Sequence, residues 1–269
     1  MAKVDDREVY PNPPVVLVAL EVRHPTAGPL TYAQRNKIKQ RLGAQLPILK
    51  SGQLTMLQAT VGATTVPEMS TEEFPKYFSR DNTIAVSIRS EAIIIETTRY
   101  VRWEHLREIT GKVLAARQEV DGIDGVERVG LRYIDEIRVP DETGDNWASW
   151  VDSALLGPAP IGEPLGLRAA QWHGITVFES GPDRAVALRY GPREGYAVDP
   201  GGDLKRPAPA PGAFFLMDID SFWTPSDGVP ELDIEKLLTK CDELHAPVRS
   251  LFERLITDRL RKEVLRHAE

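Results

Sequence analysis

Charged and apolar side chains alternate along Gly130-Leu131-Arg132-Tyr133-Ile134-Asp135-Glu136-Ile137-Arg138-Val139, and this alternation restricts the chain more than any other stretch. Successive strand residues point to opposite faces of a sheet. Arg132, Glu136 and Arg138 therefore share one face, and Leu131, Tyr133, Asp135 and Ile137 share the other. A strand so patterned fits a sheet with one buried and one wetted face, which is the habit of antiparallel sheets. Asp135 falls on the apolar side, where a carboxylate needs a partner.

The neighbouring segments supply the remaining elements. Val15–Arg23 (VVLVALEVR) is β-branched and apolar almost throughout and reads as a buried strand. Thr31 can cap a helix over about Tyr32–Leu42, with Gly43 as its stop. Gln53–Val61 alternates weakly and is expected as a strand. Residues 62–76, punctuated by Gly62, Pro67, Ser70 and Pro75, are expected as a connection or a short helix. Thr83–Ile88 and Ala92–Thr98 form a hairpin pattern. Arg102–Glu119 carries Trp103, Leu106, Ile109, Val113 and Leu114 at helical spacing, and the strand Val126–Val139 follows.

These elements make a first unit over residues 1–140. A second unit, 141–269, begins with a short amphipathic helix around Trp147, Trp150 and Leu155. Strands are expected within Gly166–Phe178, Arg184–Tyr190 and Ala213–Phe222. Gly191–Gly212, rich in Gly, Pro and Ala, reads as a flexible insertion, with a functional flap as the alternative. A long helix is expected over Leu232–His267, kinked or divided at Pro247. The fold class is therefore α+β: two antiparallel sheet-plus-helix units closed by a long C-terminal helix, with duplication of the unit left open.

Composition narrows the function classes. The 269 residues are 42% apolar and 27% charged, as in soluble globular proteins. No apolar run approaches the roughly 20 residues needed to span a bilayer, and MAKVDDREVYPNPP lacks the apolar core of a secretory signal. The one cysteine, Cys241, cannot form an intrachain disulfide, so a cytoplasmic location is expected. A formal net charge of −7 argues against broad nucleic-acid coating.

Few residues carry a chemical signature. Arg132, Asp135, Glu136 and Arg138 are candidate groups for binding a ligand or partner, although a cross-strand ion-pair ladder explains them more economically. Asp218 and Asp220, two apart on a strand, point the same way and are candidate metal ligands, but no further ligand is evident nearby. His245, four residues after Cys241, could in principle make a nucleophile–base pair; a buried core histidine is the simpler reading. No P-loop and no G-x-S-x-G elbow occurs, and no cofactor is expected.

Several segments in order resemble a sporadically distributed bacterial family of conserved hypothetical proteins. They are Tyr10-Pro11-Asn12-Pro13-Pro14-Val15, Thr97-Thr98-Arg99-Tyr100 with Trp103-Glu104, Arg128-Val129-Gly130-Leu131-Arg132-Tyr133-Ile134-Asp135, and Leu244-His245 with Phe252. The chain departs from the pattern at Asp135, where Asn is usual, and at Leu17-Val18-Ala19, where an acidic residue is usual. The resemblance marks Trp103 and His245 as further candidate binding residues. It implies no established activity, but its patchy distribution resembles that of phage-defence and toxin–antitoxin genes.

The reading is thus a non-catalytic protein-binding or self-associating module, a homodimer without membrane contact, in an antiviral-defence setting. A metal-dependent enzyme or nucleotide sensor using Asp218 and Asp220 is the alternative. A nucleic-acid binder using Lys37, Lys39, Arg41 and the arginines of the last helix is the second.

Overall fold

β1 (Val15–Arg23) holds the centre of the molecule because its alternate residues are apolar on one side without interruption. Val18, Leu20 and Val22 are fully buried, whereas Leu17, Ala19 and Glu21 on the opposite face are half-buried. The structure is a computed structural model and describes residues 9–58, 68–140 and 147–267. After β1 come α1 (Tyr32–Leu42), β2 (Ile48–Gln58), β3 (Glu68–Phe78), β4 (Ile84–Ile88), β5 (Ala92–Thr97), α2 (Trp103–Val120) and β6 (Arg128–Ile137). Then follow α3 (Ala159–Gly162), β7 (Gly174–Glu179), β8 (Arg184–Gly195), β9 (Gly212–Trp223), α4 (Ile234–Leu255) and α5 (Asp258–Leu260).

The nine strands form one sheet in the order β2-β3-β4-β5-β1-β6-β9-β8-β7. Its pairings are antiparallel. The chain is α+β, as its pattern implies. The sheet runs unbroken past Pro140, because β6 pairs with β9 from Val129↔Trp223 to Ile137↔Phe215. Residues 141–144, at the expected boundary between units, lie outside the described residues.

Local chemistry sets the element ends. Thr31 and Gln34 form a reciprocal capping box at the start of α1, and Gly43, at φ +56°, ends it. Three expectations are corrected. The stretch expected as a connection or short helix is largely strand β3, paired with β2 from Ile48↔Phe78 to Gln58↔Glu68; residues 62–67 lie outside the described residues. Pro75 is tolerated because β4 pairs only with Lys76–Phe78, leaving β3 with one neighbour at that point. The helix expected after Trp147 is instead two 3₁₀ turns, Trp147–Ser149 and Ser153–Leu155. The last helix passes through Pro247 and ends at Leu255, with Ile256 extended. Leu244 and Val248, both buried, hold it on either side of the proline. Ile256 leaves the helix to bridge Val151, and the Thr257 hydroxyl donates to the carbonyls of Ser149 and Trp150.

α1, α2 and α4 cover one face of the sheet. Leu106, Ile109, Val113 and Leu114 of α2 and Leu237, Cys241, Leu244 and Val248 of α4 join Val18, Leu20, Val22, Leu131 and Ile219 in one core. On the opposite face Leu17, Ala19, Glu21, Arg132, Ile134, Leu216 and Asp220 are half-buried or exposed, whereas Glu136, Phe214 and Asp218 are buried.

Candidate functional site

Even-numbered residues of β6 point to this open face. Arg132 reaches β9 and donates to Asp218 in a bidentate fork, Nε to Oδ1 and Nη2 to Oδ2, both 2.7 Å. Arg189 of β8 brings a second guanidinium to 3.6 Å of the same carboxylate. One step along, Arg128 donates to Glu21 of β1 at 3.0 Å and to Asp220 of β9 at 3.3 Å. Gly130 makes room for this: a Cβ there would stand 2.4 Å from Arg128 Nη1. The result is an ion-pair ladder across β1, β6, β9 and β8. The hydrogen bonds to Asp218 hold the Arg132 guanidinium above its ordinary pKa, and burial raises the Asp220 carboxyl against the pull of Arg128, Arg132 and Arg189.

Glu136 and Arg138 lie on the same face but do other work. Glu136 accepts from Arg138 Nε at 2.9 Å, from Arg206 Nη2 at 3.0 Å and from the Ala197 N–H at 2.9 Å. The Glu136 and Arg206 side chains are 2% and 3% exposed, so this is a buried ion pair. Arg138 also donates to the Gly195 carbonyl and lies over the rings of Phe214 and Tyr196. These bonds fasten the loop 196–211 across the strand ends. Its far part is held by Lys76 on Asp203 at 2.9 Å and by the Thr98 hydroxyl on the Lys205 carbonyl at 2.6 Å. Of Gly191–Gly212, read as a flexible insertion or a flap, the first five residues continue β8 and Gly212 opens β9, and 196–211 is a strap tied down by these bonds.

Asp135 is on the helix-covered face, as its register requires. It sits between Val15 of β1 and Met217 of β9. Burial, reinforced by the charge of Asp218, pushes its carboxyl up to about 7. Trp103 and His245 stack at 4.7 Å between α2 and α4, with Tyr133 6.2 Å from the imidazole. Trp103 Nε1 donates to Asp242 at 2.7 Å, a carboxylate shared with Arg107. Burial pushes the Cys241 thiol up to about 12, which disfavours its thiolate, and lowers the His245 pKa, which favours the neutral imidazole within the stack. The candidate residues thus divide among an open-face ladder, a strap anchor, a partly buried aromatic stack and, on its own, the buried Asp135.

Asp218 and Asp220 share the open face, where both oxygens of Asp218 accept from Arg132 and Oδ2 of Asp220 accepts from Arg128. Among the described residues no group of three His, Cys, Asp or Glu is close enough to hold a metal ion. No helix of the described residues is long and apolar enough to cross a membrane. A scan against protein-family models and a search of curated proteins found no match.

Two features escaped sequence reasoning. Arg128, Glu21, Arg189 and Arg206 complete the polar networks, and each is joined to its partners only by strand order or loop course. The other is the edge strand β7. Among the described residues it pairs with β8 alone, and Ile175, Val177 and Phe178 are 65%, 59% and 43% exposed. Natural edge strands are usually blunted by charge, proline or a bulge. β2, at the opposite edge, carries Lys50, Ser51, Gln53 and Thr55, while β7 has no proline and carries a single charge, at its last residue, Glu179. The segment leading into β7 exposes Ile161, Leu165 and Leu167 as well. The apolar content of β7 was legible, but its place at the rim was not.

Proposed function

We propose that the protein is a non-catalytic protein-binding module that pairs an extended polypeptide along β7, with a second copy of its own chain as the first partner. The apolar edge, charged only at its last residue, Glu179, carries this reading: main-chain groups offer a ladder, and Ile175 and Val177 on one face and Phe178 on the other offer side-chain contacts. The commitment of Asp218, Asp220, Cys241 and His245 to ion pairs or core packing supports a binding rather than a catalytic role. The family resemblance adds the setting, bacterial phage defence or a toxin–antitoxin system, as part of the same proposal.

Sedimentation velocity over a concentration series tests it. The chain is expected to dimerise, and Val177→Lys to weaken the dimer at least about tenfold, since a buried apolar side chain is worth about 1.5–3 kcal/mol and an unpaired buried charge costs more. Circular dichroism of the variant should be unchanged. A wild-type monomer throughout the series, or a dimer indifferent to Val177→Lys, overturns the edge assignment.

A further inference from the structure

At the other end of the sheet lies a cavity of about 200 Å³ between α1, α2, β3 and the β4–β5 turn. Gly28 and Pro29, both exposed, lie at its border, and Leu30, Phe74, Pro75 and Ile88 give it apolar walls. Three arginines from three different elements line it: Arg35 of α1, Arg89 beside β4 and Arg117 of α2. Their donors are not equally engaged. Arg35 Nε donates to the Leu30 carbonyl at 2.9 Å. Arg89 lies over the Phe74 ring at 4.9 Å, and its Nε is buried without a hydrogen-bond partner among the described residues. Arg117 is 1% exposed; its Nη1 is ion-paired, and its Nε is buried without a hydrogen-bond partner among the described residues. Its nearest opposite charge is Asp121, 3.3 Å from Nη1.

Buried guanidinium donors left unpaired are costly, and native proteins rarely keep them without a use. The two carboxylates on the cavity wall do not supply the missing acceptors. Glu72 accepts the Ser90 N–H at 2.6 Å. Glu73 accepts the Ser51 hydroxyl at 2.6 Å and stands 3.9 Å from Arg35. The walls are also fixed before any ligand arrives. The Ala27 N–H donates to the Ser90 carbonyl, the His24 N–H to the Glu91 carbonyl, and the Thr26 hydroxyl to the Glu91 carboxylate. Preorganised donors on rigid elements are what a selective site requires.

We propose that this cavity is a binding site for a small oxyanion, a phosphate or carboxylate group, held by Arg89 and Arg117 with Arg35 at its side. Planar guanidiniums match both groups in bidentate geometry. The volume falls below the roughly 300 Å³ at which pockets for drug-sized ligands begin, so the ligand is a small anion or the charged end of a larger molecule.

Isothermal titration of the full chain with inorganic phosphate, and separately with succinate, tests the assignment. Saturable binding of either, with a dissociation constant of about 1 mM or tighter, is expected, and the probe that binds identifies the group. Arg89→Gln should weaken it at least about tenfold while leaving the melting temperature near that of wild type, since this side chain has no ion pair among the described residues. Arg117→Met should abolish it, and its circular dichroism spectrum tells loss of the site from loss of the fold. The proposal is overturned if neither probe saturates, or if Arg89→Gln binds as tightly as wild type.

Discussion

Between Val15 and Met217, the Asp135 carboxyl ties the expected stability of this fold to pH. Asp135 is raised from 3.8 to about 7 by burial first and by the charge of Asp218 second, with no cation or hydrogen bond among the causes to oppose them. The folded state therefore holds a proton that the unfolded chain releases near pH 4. Stability should fall as pH rises from about 4 to about 7 and level off above, by up to about 4 kcal/mol at about 1.4 kcal/mol per pH unit. Asp135→Asn, the residue expected from the family resemblance, removes the ionisation. Urea midpoints measured from pH 4 to pH 8 should show the variant gaining on wild type through that window. A difference constant with pH would mean that Asp135 does not titrate there. The sequence placed Asp135 on the apolar face by parity alone and asked for a partner. The like charge it meets, on Asp218, is 83 residues away in sequence (218 − 135), and a strand pattern carries no information about which strand lies alongside.

The strap illustrates the same limit at the level of an element. Residues 196–211 lack hydrophobic periodicity, and their Gly, Pro and Ala content reads as flexibility. Their order comes from Arg206, which meets Glu136 and also donates to the Val198 carbonyl at 2.8 Å. Arg206→Met keeps the bulk of the side chain and leaves Glu136 with Arg138 and the Ala197 N–H. A loss of about 1–3 kcal/mol is expected, the cost of leaving a buried acceptor partly unsatisfied. Amide exchange along 196–211 should accelerate more than in β6 or β9. Equal exchange in the strap of wild type and variant would show that other contacts order it. In α4 the lesson runs the other way. Pro247 is the visible breaker, yet the helix stops at Ile256, where Val151 and the carbonyls of Ser149 and Trp150 capture the chain. Caps and hairpins made of neighbouring residues, such as Thr31 at the start of α1 or β4–β5, were legible because their causes are local.

At the scale of the molecule, the question is whether the halves joined at β6 and β9 behave as one. Arg128 and Arg132 from the first half meet Asp220 and Asp218 from the second. Trp103 stacks on His245 across α2 and α4. Tyr10 donates to Glu253 at 3.0 Å, and Arg261 fixes that carboxylate at 3.1 Å, so the N-terminal arm is tied to the last helix. Separating the halves would strip β6 of a full strand partner and leave Asp218, almost wholly buried, with only the more distant Arg189. Removing one member of a buried pair costs several kcal/mol more than an exposed one, because the survivor's desolvation is no longer offset. The chain should therefore unfold in a single cooperative step, with tryptophan fluorescence and far-ultraviolet circular dichroism tracing one curve in urea. Arg132→Ala should move both signals to lower urea together, by an amount equivalent to about 2–4 kcal/mol, since it leaves Asp218 with only the more distant Arg189. Two separated transitions, or a variant that shifts one signal alone, would show instead that the strands on either side of the β6–β9 seam fold as independent units, and that the ladder merely decorates their junction.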